Sequence, residues 1–499
     1  MFTPKIQSRL IVASNRLPVV VHTGPGAGPR QVAPASGGLV TALAPLLRQR
    51  GGSWFGWAGC SDETSRLTPL LEAASREAGY ALLPIAVDRQ EQQEFYQGFA
   101  NEVIWPLFHS VPSMCNFVPA YWQAYRRVNA RFGEAIARHA QPGDIVWVHD
   151  YQLMSVGSAL RDHGLGSPVG FFLHIPFPAP DLFMNLPWRV PLLESLLDYD
   201  LVGFQTRRDR RNFLECLNQL LDDVSVTGRG QQICVVSHSG RRTRVGYFPI
   251  SIDFNDFHQR ASAPAVAARA ASLQAILPNR QLLLGVDRLD YTKGIPQRLR
   301  AFEYALENHP ELRERVTLIQ VVVPSRAAIP RYEELKKEIE RLVGRINGRF
   351  TKPGAWVPIH YVYRSLTPEE LLAYYRAAHV ALITPLRDGM NLVAKEYCVC
   401  SPDDEGVLIL SEFAGAAMQL AGGAIIVNPH DIEAIATAIS RAVTMAAPER
   451  RARMRRMRRS IRRHDVFWWA EFFLGKGLAR NLQTVSCAAS SADQPAAIE

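Results

Sequence analysis

Short apolar runs alternate with stretches of helical periodicity along almost the whole chain. The runs that read as buried strands are Leu10-Ile11-Val12-Ala13 and residues 144–149, 168–173, 201–205, 281–286, 316–323, 359–363, 380–384, 407–410 and 424–427. Between several of them the spacing is amphipathic. In 331–348, Tyr332, Leu335, Ile339, Leu342, Val343 and Ile346 mark one helical face, with Glu and Lys on the other. This alternation predicts an α/β fold of parallel sheets covered by helices. A chain of 499 residues, 47% hydrophobic, exceeds what one core usually serves. Two such units joined near Phe248-Pro249-Ile250-Ser251-Ile252 predict Rossmann-like domains over 1–249 and 250–464 with a cleft between them. Residues 485–499, rich in Ala and Ser, read as a loose tail.

Two strand–turn–helix segments carry candidate chemistry. In the first, Val380-Ala381-Leu382-Ile383 runs into Thr384-Pro385-Leu386-Arg387-Asp388-Gly389-Met390-Asn391, and a helix is expected from near Asn391. A tight turn at Gly389 would leave backbone N–H groups at the helix N-terminus, where the helix dipole favours an anion. Asp388 is placed to accept from sugar hydroxyls, and Glu396, about one helical turn beyond Leu392, to reach a ribose. In the second, the strand 281–286 leads to Arg288 and Lys293 at a polar turn. A rigid guanidinium fork and a flexible ammonium together suit a diphosphate. Ligands of parallel sheets bind beyond the carboxyl ends of strands, where both turns fall.

With Ser36-Gly37-Gly38-Leu39 and Phe171-Phe172-Leu173-His174-Ile175-Pro176-Phe177-Pro178, these segments resemble the trehalose-6-phosphate synthases, a family of retaining nucleotide-sugar glycosyltransferases. The resemblance runs from about residue 8 to about residue 475. It implies a GT-B architecture, with a final helix through Phe467-Trp468-Trp469 and Phe473 (about 465–484) that completes the N-terminal domain. It implies transfer of glucose from a nucleotide-diphosphate glucose, usually UDP-glucose, to glucose 6-phosphate. Donor contacts are then expected from Gly37, Gly38, Arg288, Lys293, Asp388, Gly389, Met390, Asn391, Leu392, Val393 and Glu396. Acceptor contacts are expected from Arg16, Tyr96, Trp105, Asp150 and Arg326, with the two arginines on the phosphate and Trp105 as an aromatic platform. His174 is expected to approach the donor glucose, and Arg288, Lys293, His174 and Asp388 to form the catalytic set. The family reaction uses the departing phosphate as base, so no separate protein base is expected. The alternatives are a glycerol 3-phosphate acceptor, ADP- or GDP-glucose as donor, and a catalytically silent regulator that binds sugar phosphate.

Charge modifies this picture little. The net charge of +9 comes from residues 450–463, which hold nine arginines and no acid; elsewhere basic and acidic residues balance at 47 each. Met454, Met457 and Ile461 recur at helical spacing there, predicting a helix packed on one stripe with its arginines in water. No aromatic residues interleave with the arginines, so no nucleic-acid partner is expected. The seven cysteines lack metal or redox spacing, which fits buried free thiols in a reducing cytosol. Neither zinc ligand spacing nor an Asp-X-Asp pair occurs at the nucleotide turns, so no metal cofactor is expected. No apolar stretch approaches a membrane span, and Met1 to Arg9 lack a signal-peptide apolar region. Two lookalikes are set aside. Gly24-Pro25-Gly26-Ala27-Gly28 reads as a mobile loop rather than a phosphate cradle, and Asp198-Tyr199-Asp200 precedes its strand, unlike a phosphatase nucleophile. Relatives imply a homo-oligomer, a dimer or tetramer.

Overall fold

The computed structural model describes residues 8–24, 28–34, 38–59, 64–228, 232–325, 330–354 and 356–478. They form two compact units, one up to Pro249 together with the segment from Phe467, the other spanning Ile250–Val466. The strands of the first are β1 (Leu10–Arg16), β2 (Val19–Gly24), β3 (Gly28–Pro34), β4 (Gly52–Trp57), β5 (Ala81–Pro84), β6 (Ile145–His149), β7 (Val169–Phe172), β8 (Leu201–Phe204), β9 (Ser225–Thr227), β10 (Ile233–His238) and β11 (Arg241–Tyr247). Those of the second are β12 (Gln281–Arg288), β13 (Val316–Val323), β14 (Ile359–Tyr363), β15 (Val380–Ile383), β16 (Val407–Ser411) and β17 (Ile425–Val427).

The second unit is a six-stranded sheet in the order β14-β13-β12-β15-β16-β17, parallel throughout. Its inner strands read as unbroken apolar runs because helices cover both faces; β15 and β16 are buried at every residue. The helix Pro330–Phe350 buries all six residues of its predicted apolar face. Strand order reverses between β12 and β15, the two strands that feed the candidate nucleotide turns.

The first unit repeats that plan in β5-β4-β1-β6-β7-β8 and then departs from it. The strand β11 joins β8 in parallel, but β10 runs antiparallel to both β11 and β9. Ser239 (φ 48°) and Gly240 (φ 78°) form a left-handed two-residue turn that returns the chain directly, without a crossover helix. The purely parallel expectation fails at this edge for that reason. Of the glycine-rich stretch expected to be a mobile loop, Gly24 and Gly28 belong to paired strands. The strands β2 and β3 pair antiparallel from Val19↔Pro34 to Gly24↔Gly28, and residues 25–27 lie outside the described residues.

The short helix Val466–Glu471 and the wider turn Phe472–Leu478 close the first unit. Trp469 is fully buried, lies 4.9 Å from the Trp147 ring and donates Nε1–H to the Phe248 carbonyl at 3.1 Å. Phe473 stacks on Trp147 at 4.5 Å. Glycine at 170 and 203 leaves room for this layer, since a Cβ at either would come within 3 Å of the Phe473 ring.

The arginine-rich segment is the helix Ala447–Arg463, with Met454, Met457 and Ile461 on its buried stripe. Its arginines are more engaged than a solvated face requires. Arg450 and Arg451 share Glu405, Arg455 and Arg458 share Asp404, and Arg458 also donates to the carbonyls of Cys398, Val399 and Ser401. Carbonyls at the end of the helix Leu392–Val399 lack intrahelical donors, and Arg458 supplies one. Asp198 and Asp200 serve structure: Ser158 donates to Asp198 at 2.6 Å, and Arg161 pairs with Asp200 at 2.8 Å. Cys115, Cys216, Cys234, Cys398 and Cys400 are free, and burial pushes the Cys115, Cys216 and Cys398 thiols up to about 12, far from nucleophilic range. Among the described residues no helix is long and apolar enough to cross a membrane.

Trp469→Ala removes a buried indole and its hydrogen bond. We expect a loss of about 3–5 kcal/mol in denaturant unfolding; a change within about 0.5 kcal/mol would show that the closing segment is not part of the core.

Candidate active site

In the second unit, β12 ends at the exposed Arg288, and the chain enters a turn shaped by Asp290. That carboxylate is buried, and its Oδ1 accepts from the Thr292 N–H at 3.0 Å and from the Thr292 hydroxyl at 2.9 Å. The turn Tyr291–Lys293 therefore presents Lys293 in one fixed place. Gly294 follows in the left-handed region (φ 63°), and a Cβ there would lie 2.4 Å from the Thr384 carbonyl oxygen. Only glycine lets the lysine turn lie so close to the end of β15. The Leu386 N–H donates to the Thr292 carbonyl at 2.7 Å, joining the two turns through backbone as well.

The second turn is held on its other side by residues 411–416. The Asp388 N–H donates to the Phe413 carbonyl at 3.2 Å, the Gly415 N–H to the Asp388 carbonyl at 3.1 Å and the Ala416 N–H to the Met390 carbonyl at 2.7 Å. Gly389 is not the strained residue of this turn. The left-handed position is Asn391 (φ 76°), which caps the helix Leu392–Val399 by accepting the Ala394 N–H at 3.1 Å. A short amide side chain tolerates that conformation and satisfies an orphan donor at once. The Asn391 Nδ2 also donates to Asp388 Oδ2 at 3.1 Å. The same carboxylate oxygen accepts Lys293 Nζ at 2.6 Å, with both side chains mostly buried. Arg288, Lys293, Asp388 and the helix N-terminus thus converge where the strand order reverses. Met390 is buried, Leu392 and Val393 are half-buried at the first turn, and Gly38 opens the helix Gly38–Arg50 in the first unit. Gly37 lies outside the described residues. Glu396 accepts from the Tyr375 hydroxyl at 2.9 Å, and burial raises its carboxyl pKa.

The first unit gathers the other set at its own reversal, between β1 and β6. Arg16 ends β1 with its guanidinium 4.2 Å from the centre of the Trp57 ring, and Tyr96 packs edge-on against the same indole at 6.1 Å. Tyr96 sits in Gln92–Ile104, a helix with the wider i→i+5 repeat that often marks functional segments. Asp150 follows β6 with φ 75° and ψ 168°, a backbone state nearly reserved for glycine. Its N–H donates to the Phe172 carbonyl at 2.8 Å, and its Oδ1 accepts the His174 N–H at 3.2 Å. This strain holds Asp150 and His174 side by side beyond adjacent strands. His174 Nε2 lies 3.1 Å from His149 Nδ1, and Gln205 approaches the other ring nitrogen at 3.5 Å. Burial lowers the His174 pKa to about 3 and pushes His149 well below its ordinary value. Both imidazoles are therefore neutral at physiological pH, which suits polar contact rather than proton delivery.

Trp105 is 5% exposed, with His109 at 4.1 Å and Tyr151 at 5.6 Å from its ring centre. Arg326 lies outside the described residues. Asp290, His149, Gln205 and Trp57 were missed from the sequence. The Asp290-x-Thr292 spacing of a side-chain-capped turn was a readable signal for the first; the other three act only through tertiary neighbours. Among the described residues there is no group of three or more His, Cys, Asp or Glu suited to a metal ion.

Comparison with known proteins gives this arrangement a class. The chain is 44% identical over 478 residues to the trehalose-6-phosphate synthase of Mycolicibacterium gilvum, covering 94% of each chain. It is 36% identical, at a TM-score of 0.83, to an α,α-trehalose-phosphate synthase (UDP-forming) from Burkholderia xenovorans in complex with glucose-6-phosphate, covering 94% of this chain and 99% of that one. An E. coli structure bound with UDP-2-fluoro glucose matches at 36% identity and a TM-score of 0.82, covering 94% and 98%. The fold is that of a GT-B glycosyltransferase. The profile of glycosyltransferase family 20 matches residues 8–477, and the chain belongs to that family.

Gly294→Ala forces a Cβ into the Thr384 carbonyl and a non-glycine residue into left-handed backbone. We expect about 1–3 kcal/mol of destabilisation and weaker nucleoside-diphosphate binding by titration calorimetry; unchanged binding would remove the requirement for close turns. Because the folded protein holds His174 neutral while the unfolded chain binds its proton near 6.5, its contribution to stability is full above that pH and is lost as pH falls towards about 3. His174→Asn should lower the pH–rate profile without moving an inflection between about pH 5 and 8. An inflection present in the parent and absent from the variant would show that the imidazole titrates in that range.

Proposed function

We infer that the protein transfers glucose from UDP-glucose to glucose 6-phosphate with retention of configuration, giving α,α-trehalose 6-phosphate and UDP. The observation that carries this reading is the convergence of Arg288, Lys293 and the Leu392–Val399 N-terminus at one strand-order reversal, in a chain of glycosyltransferase family 20. Cleavage of a nucleotide sugar builds negative charge on the departing diphosphate while positive charge builds on the sugar ring. Two cations and unpaired backbone donors stabilise the first of these. Their fixed turns mean that little reorganisation is needed as the charge develops.

The donor sugar is assigned to Asp388 and His174, and the ribose to Glu396. In the free protein Asp388 neutralises Lys293; when a diphosphate takes the ammonium, the carboxylate becomes available to glucose hydroxyls. Arg16 and Tyr96, braced on Trp57, are assigned with Arg326 to the acceptor phosphate, and Asp150 to acceptor hydroxyls. The acceptor hydroxyl attacks from the side the nucleotide leaves, and the departing phosphate takes its proton. The neutral His174 fits this route, because no imidazolium has to form. Arg288 and Lys293 supply the positive charge that a divalent ion supplies in other transferases, so turnover is expected without added metal. The reading carries with it a cytosolic homo-oligomer, as the resemblance implied.

Release of nucleotide diphosphate from UDP-, ADP- and GDP-glucose, with glucose 6-phosphate or glycerol 3-phosphate as acceptor and EDTA present, tests the reading. Turnover is expected with UDP-glucose and glucose 6-phosphate and should survive chelation. Turnover with glycerol 3-phosphate alone, or none in folded protein, would overturn it. Arg288→Ala should lower kcat by about 100- to 1000-fold and leave the glucose 6-phosphate KM nearly unchanged. The opposite pattern would move Arg288 to the acceptor side.

A further inference from the structure

Arg298 lies on the helix Ile295–Asn308, has no solvent exposure and belongs to none of the contacts assigned above. Its guanidinium bridges three of the segments that build the second unit's site. Nη1 donates to the Asp287 carboxylate, one residue before Arg288. Nη2 donates to the Lys293 carbonyl at 3.3 Å. Nε donates at 3.1 Å to the hydroxyl of Thr384, the first residue of the turn that carries Asp388 and Asn391. A further bond from Nη1 reaches Gln320 Oε1 in β13 at 3.2 Å. The strand β12 makes room for this group with Gly285, where a Cβ would stand 2.7 Å from Nη1 and 2.5 Å from Gln320 Oε1.

A buried ion pair of this kind contributes little net stability over an apolar replacement, since desolvation offsets its Coulomb attraction. What a planar fork does supply is geometry: donors at fixed angles to several acceptors at once. Here the acceptors are the end of β12, the lysine turn and the start of the 384–391 turn. We propose that Arg298 is a positioning residue for nucleotide-diphosphate recognition, setting the mutual placement of Arg288, Lys293 and the Asp388 turn without touching the ligand. The inference rests on the diphosphate assignment made for those residues.

Two variants test it. Arg298→Lys keeps the charge on Asp287 but has no fork to span all three segments. The double variant Arg298→Met with Asp287→Asn removes both charges, so no carboxylate is left buried and unpaired. Dissociation constants for UDP and UMP are measured on each by calorimetry, with thermal midpoints and the glucose 6-phosphate KM alongside. We expect the advantage of UDP over UMP to shrink by about 10-fold or more in the double variant and by a smaller factor in Arg298→Lys. UMP affinity and the acceptor KM should move little in either. A parental UDP-to-UMP ratio in a folded double variant would overturn the proposal, as would equal losses for both nucleotides, the mark of general disruption. Arg288→Ala serves as the control. If it also keeps the parental ratio, the diphosphate assignment fails and the inference with it; if it alone loses the ratio, the assignment stands and the role of Arg298 falls.

Discussion

In an open parallel sheet, right-handed crossovers send helices to one face on one side of the first strand and to the opposite face on the other side. Where the order reverses, two neighbouring strand ends have connections that part company, and their carboxyl ends stay uncovered. Both units are organised around that constraint. In the second it lies between β12 and β15, whose continuations carry Arg288, Lys293 and Asp388. In the first it lies between β1 and β6, whose continuations carry Arg16 and Asp150, with His174 just beyond the next strand. Strands apolar enough to be buried on both faces thus end in places where polar side chains can gather without loss of core.

The electrostatics of the second unit follow from how closely its turns approach. Lys293 is held by Asp388 at 2.6 Å, and Asp388 is held in turn by Asn391, whose left-handed backbone starts the helix. Cation, carboxylate and helix N-terminus form one hydrogen-bonded chain, so an arriving diphosphate meets turns that are already placed and has only the Lys293 side chain to draw from Asp388. Preorganisation of this kind matters more to charge development than the number of cations present. The first unit stores its order differently, as strained backbone at Asp150 and two neutral imidazoles packed among aromatic rings.

The α/β class and the parallel strands of the second unit were legible because strands buried on both faces are apolar without interruption. The strands β4 and β5 were not read: Gly-Ser-Trp-Phe-Gly-Trp carries glycines that weaken a strand pattern, and Ala-Leu-Leu-Pro is too short to carry one. The hairpin of β10 and β11 was announced by Ser239-Gly240 and overlooked. At the candidate site, the two strand–turn–helix segments were legible and the mechanics of their turns were not. Gly389 looked like the residue that permits the turn, whereas Asn391 adopts the unusual backbone and Gly294 and Gly415 permit the close approaches. Nothing in the sequence shows that Trp105 packs against His109 and Tyr151. Arg298 drew no reading from the sequence, because its burial depends on three segments that converge only in the fold.

The claim on which the rest turns is that the second unit's paired turns receive the diphosphate of the donor. A crystal structure of the protein soaked with UDP tests it most directly. The account predicts phosphate oxygens within hydrogen-bond distance of Arg288 and Lys293, with Lys293 drawn away from Asp388 and the N–H groups at Leu392 and Val393 facing the anion. A diphosphate bound elsewhere, with the Lys293–Asp388 pair still at 2.6 Å, would contradict it.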